Sequence, residues 1–301
     1  MDFGIKRGFI IADSGKPGPL FVAPHAAPAY YKPGDHQDHN THYISYKLAT
    51  HGGKALISAL SRERDIGIDF YRPYPTAETA LKSYEVLQNG KYSERRKDAR
   101  KSAWAAKNMT EHAVKMEIYI KFWDTVRSHN GPIVYVHRQF FNPIRHPSIM
   151  DIIPFNNKDA ILDAVAELNE KYAVVLAKLF PVYKAGFEFK ALCVDFKDEM
   201  LKNHKIRLYH GRRPNVSRRS ARFRKVMKEV PELKITYMQN FKGRPMKMLM
   251  KQHDIKNSNP VFQAEISEFL ARRFPDIAVC MITDILKKTV KQAKDKRTKN
   301  R

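Results

Sequence analysis

The chain has 301 residues, 43% of them apolar, enough to bury one large α/β core or two smaller ones. Lys and Arg number 55 against 31 acids, a net charge of +24, and such a field attracts nucleic acid, acidic lipid or small carboxylates. No apolar run approaches the ~18 residues of a membrane span, and Cys193 and Cys280 lack the spacing of a disulfide framework or a cysteine zinc site, so a cytoplasmic protein is expected.

The first apolar run, Gly8 to Ala12, reads as a strand, and Asp13 to Pro19 as a turn after it. Leu20 to Ala23 is a second, bounded by prolines, and reads as a buried strand. It runs into Pro24-His25-Ala26-Ala27-Pro28. Asp35, His36, Asp38, His39 and His42 then crowd eight positions with metal or acid–base groups. A helix is expected from about Asn40 to Thr50, a strand in Lys54 to Ser61, and a polar loop at Asp65 to Arg72. Strand, loop, helix, strand, loop is a βαβ rhythm, and open α/β sheets bind ligands at the carboxyl ends of their strands.

Residues 76–128 read as a helical insertion or long crossover. Thr76 to Leu87 is amphipathic, and a long helix is expected from about Glu94 to Ser128. Arg95, Arg96, Lys97, Arg100, Lys101 and Lys107 give its first half a solvated basic face. Ile133 to His137 is a strand ending in histidine, and Arg138 to Phe155 an irregular loop. A helix from about Asn157 to Phe180 follows, then strands at Gly186 to Phe196, Ile206 to Tyr209 and Ile235 to Phe241. Arg212 to Lys228 holds eight basic residues and no acid. Val261 to Ser267 reads as a strand with Phe262, Ala264 and Ile266 on one face and Val261, Gln263 and Glu265 on the other. A helix from Ser267 to Arg273 follows. The last helix begins after Pro275, and Lys287 to Arg301 reads as a basic, fraying tail.

The order Pro24-His25, Asp38, Ser61-Arg62, Gly67-Ile68-Asp69-Phe70-Tyr71-Arg72-Pro73, a strand ending at His137, and Gln263-Ala264-Glu265 resembles the N-formylglutamate amidohydrolase family. That family is distantly similar to zinc carboxypeptidases. The resemblance implies a three-layer α/β/α fold of the phosphorylase/hydrolase-like kind, with a mostly parallel or mixed sheet. It implies zinc or another divalent metal on His25, His137 and Asp38, with His36 as the substitute. In the carboxypeptidases a glutamate stands three residues after the first histidine, where this chain has Pro28. Glu265 would be the catalytic base, and Arg72 would hold a substrate carboxylate, with Asp69 and Arg62 assisting. Tyr71 stands where the family's segment has asparagine.

The chain is therefore expected to form a single domain over 1–286, carrying the helical insertion, with a basic tail at 287–301. The first functional expectation is a metal-dependent amidohydrolase acting on a small carboxylate-bearing N-acyl or N-formyl amide. The second is nucleic-acid or polyanion binding on an altered hydrolase scaffold, through Arg218, Arg219, Arg222 and Arg224. A third makes the 76–128 helices an oligomerisation arm.

Overall fold

The computed structural model describes residues 1–26, 38, 40–59, 67–89, 105–139, 148–185, 228, 232–239 and 241–299. Among the described residues, eight strands form one sheet: β1 (Asp2–Lys6), β2 (Phe9–Asp13), β3 (Leu20–Ala23), β4 (Lys54–Ser58), β5 (Ile133–Gln139), β6 (Ser148–Pro154), β7 (Lys234–Tyr237) and β8 (Val261–Ser267). Their spatial order is β1-β2-β4-β3-β5-β8-β6-β7. The four central strands β4, β3, β5 and β8 run parallel. β2 and β6 flank them antiparallel. This is the three-layer α/β architecture.

Alternation along the strands builds both faces. Phe21, Val134, Val136, Phe262, Ala264 and Ile266 point to one side. There they meet α1 (Thr41–Thr50), α4 (Lys158–Lys171), a helix α5 over 173–185, α7 (Glu268–Arg273) and α8 (Pro275–Lys299). Leu20, Val22, Leu56, Ile133, Tyr135 and Val261 point to the other side. They meet α3 (Met109–Arg127) and α6 (Arg244–Gln252), while α2 (Ala77–Asn89) packs on α3. The helices between β4 and β5 thus form a crossover whose α3 supplies much of one outer layer.

Several expectations need correction. The long helix starts at Met109, where Asn108 caps it by accepting from Glu111 N, and residues 105–108 are not helical. The Asn108 side-chain oxygen satisfies one of the orphaned N–H groups of the helix start. Ser148 to Pro154, expected as loop, is the buried strand β6. β1, not anticipated, adds an edge to β2. Helix α8 continues through Lys299 instead of fraying after Leu286. Cys280 is exposed. The basic run at 95–101, the strands expected in 186–209 and most of Arg212 to Lys228 lie outside the described residues.

The far rim of the sheet fixes its register. Gly53 has φ +97°, and a Cβ there would fall 2.1 Å from Pro19 O, so only glycine lets the starts of β3 and β4 pass this closely. Lys54 N then donates to Pro19 O at 2.9 Å. With the strands locked at that end, their carboxyl ends share one opposite rim.

Candidate metal centre

At that carboxyl rim, His25 follows the end of β3 by two residues, and His137 lies near the end of β5. Asp38 sits just before α1. Its backbone N–H donates to His25 O at 3.0 Å, and its own carbonyl accepts from Thr41 N and Thr41 Oγ1. These bonds pin the aspartate between the histidines. His137 Nδ1 lies 3.0 Å and His25 Nδ1 3.5 Å from the same Asp38 Oδ2. The three ligand atoms all fall within 4.8 Å of one another, and all three residues are buried.

Asp69, in the loop after β4, meets the other nitrogen of His25, with Nε2 to Oδ1 at 2.8 Å. The same oxygen accepts from Tyr71 N at 2.9 Å, and Oδ2 stands 3.4 Å from Arg72 Nε. A carboxylate on one imidazole nitrogen turns the other toward a metal, the arrangement that supports ligating histidines. Burial alone would raise the Asp38 carboxyl, but hydrogen bonds from His137 and His25 outweigh it and hold the acid well below the usual carboxylate range. Asp38 would therefore meet a metal ion as an anion at any ordinary pH.

Two imidazole nitrogens and a carboxylate oxygen make a donor set that zinc takes. Ligand bonds of ~2.0–2.2 Å in a tetrahedral shell place neighbouring donors about 3.3 Å apart. The 3.0 and 3.5 Å separations bracket that spacing, so the residues fit such an ion. Three protein ligands also leave a fourth position, as catalytic zinc requires.

No family model, curated protein or solved structure matches this chain. The functional reading therefore rests on the residues themselves.

Glu265 lies on β8 directly opposite His137 in the parallel register, on the sheet face that Gln263 shares. The Gln263 amide nitrogen donates to Glu265 Oε1, and Tyr71 Oη donates to Gln263 Oε1. The Tyr71 ring stands edge-on to His137 at 4.5 Å and to His25 at 5.7 Å. Burial, then the Glu265 charge, push the Tyr71 phenol well above its ordinary value, so it stays a donor. Arg72 is 42% exposed and reaches toward solvent from the same loop.

The structure thus brings His25, Asp38, His137, Asp69, Arg72 and Glu265 to one rim. His36 and Arg62 lie outside the described residues, as do Arg218, Arg219, Arg222 and Arg224. Sequence reasoning gave no role to Gln263 as the link between Tyr71 and Glu265. It missed Asp151 as well, a buried acid opposite Glu265 across β6 and β8. Asp151 accepts from Thr236 Oγ1, Gln239 N and Phe241 N, tying down the turn after β7. A lone acid among Ile149, Met150, Ile152 and Ile153 was the available signal, since a carboxylate inside an apolar strand needs such partners.

Proposed function

We propose that the protein is a metal-dependent amidohydrolase that cleaves a small N-acyl or N-formyl amide bearing a carboxylate, in keeping with its resemblance to the N-formylglutamate amidohydrolases. The observation that carries this reading is the meeting of His25, Asp38 and His137 at one buried point, although Asp38 and His137 are 99 residues apart in sequence.

A zinc ion held by these three residues would polarise the amide carbonyl and lower the pKa of water to ~7. Glu265 would take the proton of the attacking water on a carboxylate oxygen and return it to the amine nitrogen as the C–N bond breaks, leaving a carboxylic acid and an amine. Gln263, bonded to Oε1, would keep that carboxylate oriented. The Arg72 guanidinium, half in solvent, would pair with the substrate's own carboxylate through two parallel hydrogen bonds. Tyr71 would wall the site on the side of the two histidines.

Protein purified without added metal should hold near-stoichiometric divalent ion and lose it in His25→Ala combined with His137→Ala. A panel of N-formyl and N-acyl amino acids, acidic side chains first, supplies the assay. Glu265→Gln should keep the metal and the melting temperature while hydrolysis drops ~10²–10⁴-fold, the worth of a positioned acid–base group. Metal-loaded wild type inert toward the whole panel would sink the hydrolase reading, and metal retained by the double histidine variant would sink the site.

A further inference from the structure

Strand β1 closes one edge of the sheet, and among the described residues no strand pairs with its outer side. Its five residues are Asp2-Phe3-Gly4-Ile5-Lys6. Phe3 is 59% exposed and Ile5 82% exposed, and residues two apart on a strand share a face. Phe3 rests almost flat on Tyr46 of α1, with ring centroids 5.9 Å apart, so this apolar edge is held in place. Edges that stay free are normally short, twisted away or charged toward the gap, because unpaired backbone groups recruit other strands.

The order of residues in β1 is its own complement when reversed. Run antiparallel to a second copy about Gly4, Asp2 faces Lys6, Phe3 faces Ile5, and Gly4 faces Gly4. Every directly opposed pair of side chains is then of opposite charge or apolar on apolar, the pairings that stabilise antiparallel ladders. A one-residue slip sets Asp2 against Ile5 and Phe3 against Gly4 and loses both pairings, so the register is specified.

Gly4 supplies a separate observation. A Cβ built there meets nothing nearer than Ile11 at 3.9 Å, so the monomer does not require glycine at this position. Glycine inside a strand weakens it, and often marks where another backbone approaches closely. The two-fold axis of the pairing passes through this residue.

We propose that the protein forms a two-fold dimer by antiparallel pairing of β1 with β1 of a second copy, joining two eight-stranded sheets into one. The interface is isologous, so each charged pair occurs twice. Sedimentation of the full chain at about 100 µM, a concentration suited to so small an interface, should show dimer that dissociates on dilution. Asp2→Lys sets Lys against Lys, and Lys6→Asp sets Asp against Asp, so each alone should weaken dimerisation ~10-fold or more. Mixing the two single variants should restore a one-to-one heterodimer, and both changes in one chain should restore the homodimer. Wild type that stays monomeric overturns the proposal. So does a dimer indifferent to the single reversals, or single variants that neither mixing nor combination rescues.

Discussion

One oxygen of the Asp69 carboxylate serves two groups. Oδ1 engages both His25 Nε2 and the backbone of Tyr71, so the histidine ring and the loop that carries Arg72 are fixed by the same atom. Asparagine in its place keeps the volume but removes the charge that steadies a ligating imidazole. Asp69→Asn should therefore weaken metal binding ~10–100-fold, the usual worth of such a supporting partner. Chelator competition measures this, and an unchanged dissociation constant would mean that His25 is oriented by something else. At this scale the sequence was readable in part. His25, Asp38 and His137 stand out because histidines and acids at strand ends are chemically conspicuous. Gln263 stands out only as part of a Gln-x-Glu pattern, and nothing in the sequence shows that its amide bridges Tyr71 to Glu265.

Among the elements, α8 differs most from what its composition suggests. Eight basic residues after Leu286 favour a solvated, fraying end, yet the helix persists because α4 holds it. Lys288 pairs with Glu167, Thr289 is fully buried, and Asp284 accepts from Lys171 Nζ at 2.5 Å and Tyr172 Oη at 2.8 Å. Tertiary partners thus override local charge, and a single segment's composition cannot report them. The same holds for β6. Pro147 and Pro154 punctuate it like a loop, while its antiparallel partner β8 lies more than 100 residues away. By contrast, the two-residue alternation of β8 alone specifies its two faces, and it was legible. Burial tends to raise the Asp284 carboxyl, but the bonds from Lys171 and Tyr172 prevail and hold it below its ordinary value. A carboxyl depressed in the folded state lends stability that is present above its unfolded pKa near ~3.9 and is lost as pH falls below it. Asp284→Asn should lower the melting temperature modestly at pH 6, by the equivalent of under ~1 kcal/mol. The difference from wild type should vanish toward pH 2–3, and a gap that widens in acid would contradict the argument.

For the whole molecule, the core of one face reaches directly into the site. Phe122 of α3 stacks on Phe70 at 4.0 Å and meets Phe9 edge-on at 5.7 Å, all three fully or nearly fully buried. Phe70 lies between Asp69 and Tyr71, so the packing beneath the sheet sets the height of the loop above it. Phe122→Ala should cost about 3–5 kcal/mol of stability through lost contacts and the cavity left behind. It should also loosen metal binding through Phe70 and its neighbour Asp69, which contacts His25. Calorimetry together with metal titration at a temperature where the variant is folded separates the two effects. Loss of stability with unaltered metal affinity would show that the loop is held independently of α3.

The ligands of the candidate site come from the end of β3, the start of α1 and the end of β5, and β5 pairs with β3 only after the whole α2–α3 crossover has been laid down. Long-range parallel pairing of this kind forms slowly, because the loop entropy is spent before the contact is made. A metal ion arriving at the half-built chain would find His25 and Asp38 without His137. Saturating metal should then leave the refolding arm of a chevron where it was and lower the unfolding arm, since its contacts are absent from the transition state. The ion would act as a latch on a finished sheet, lengthening the lifetime of the native state while contributing nothing to how fast that state is reached.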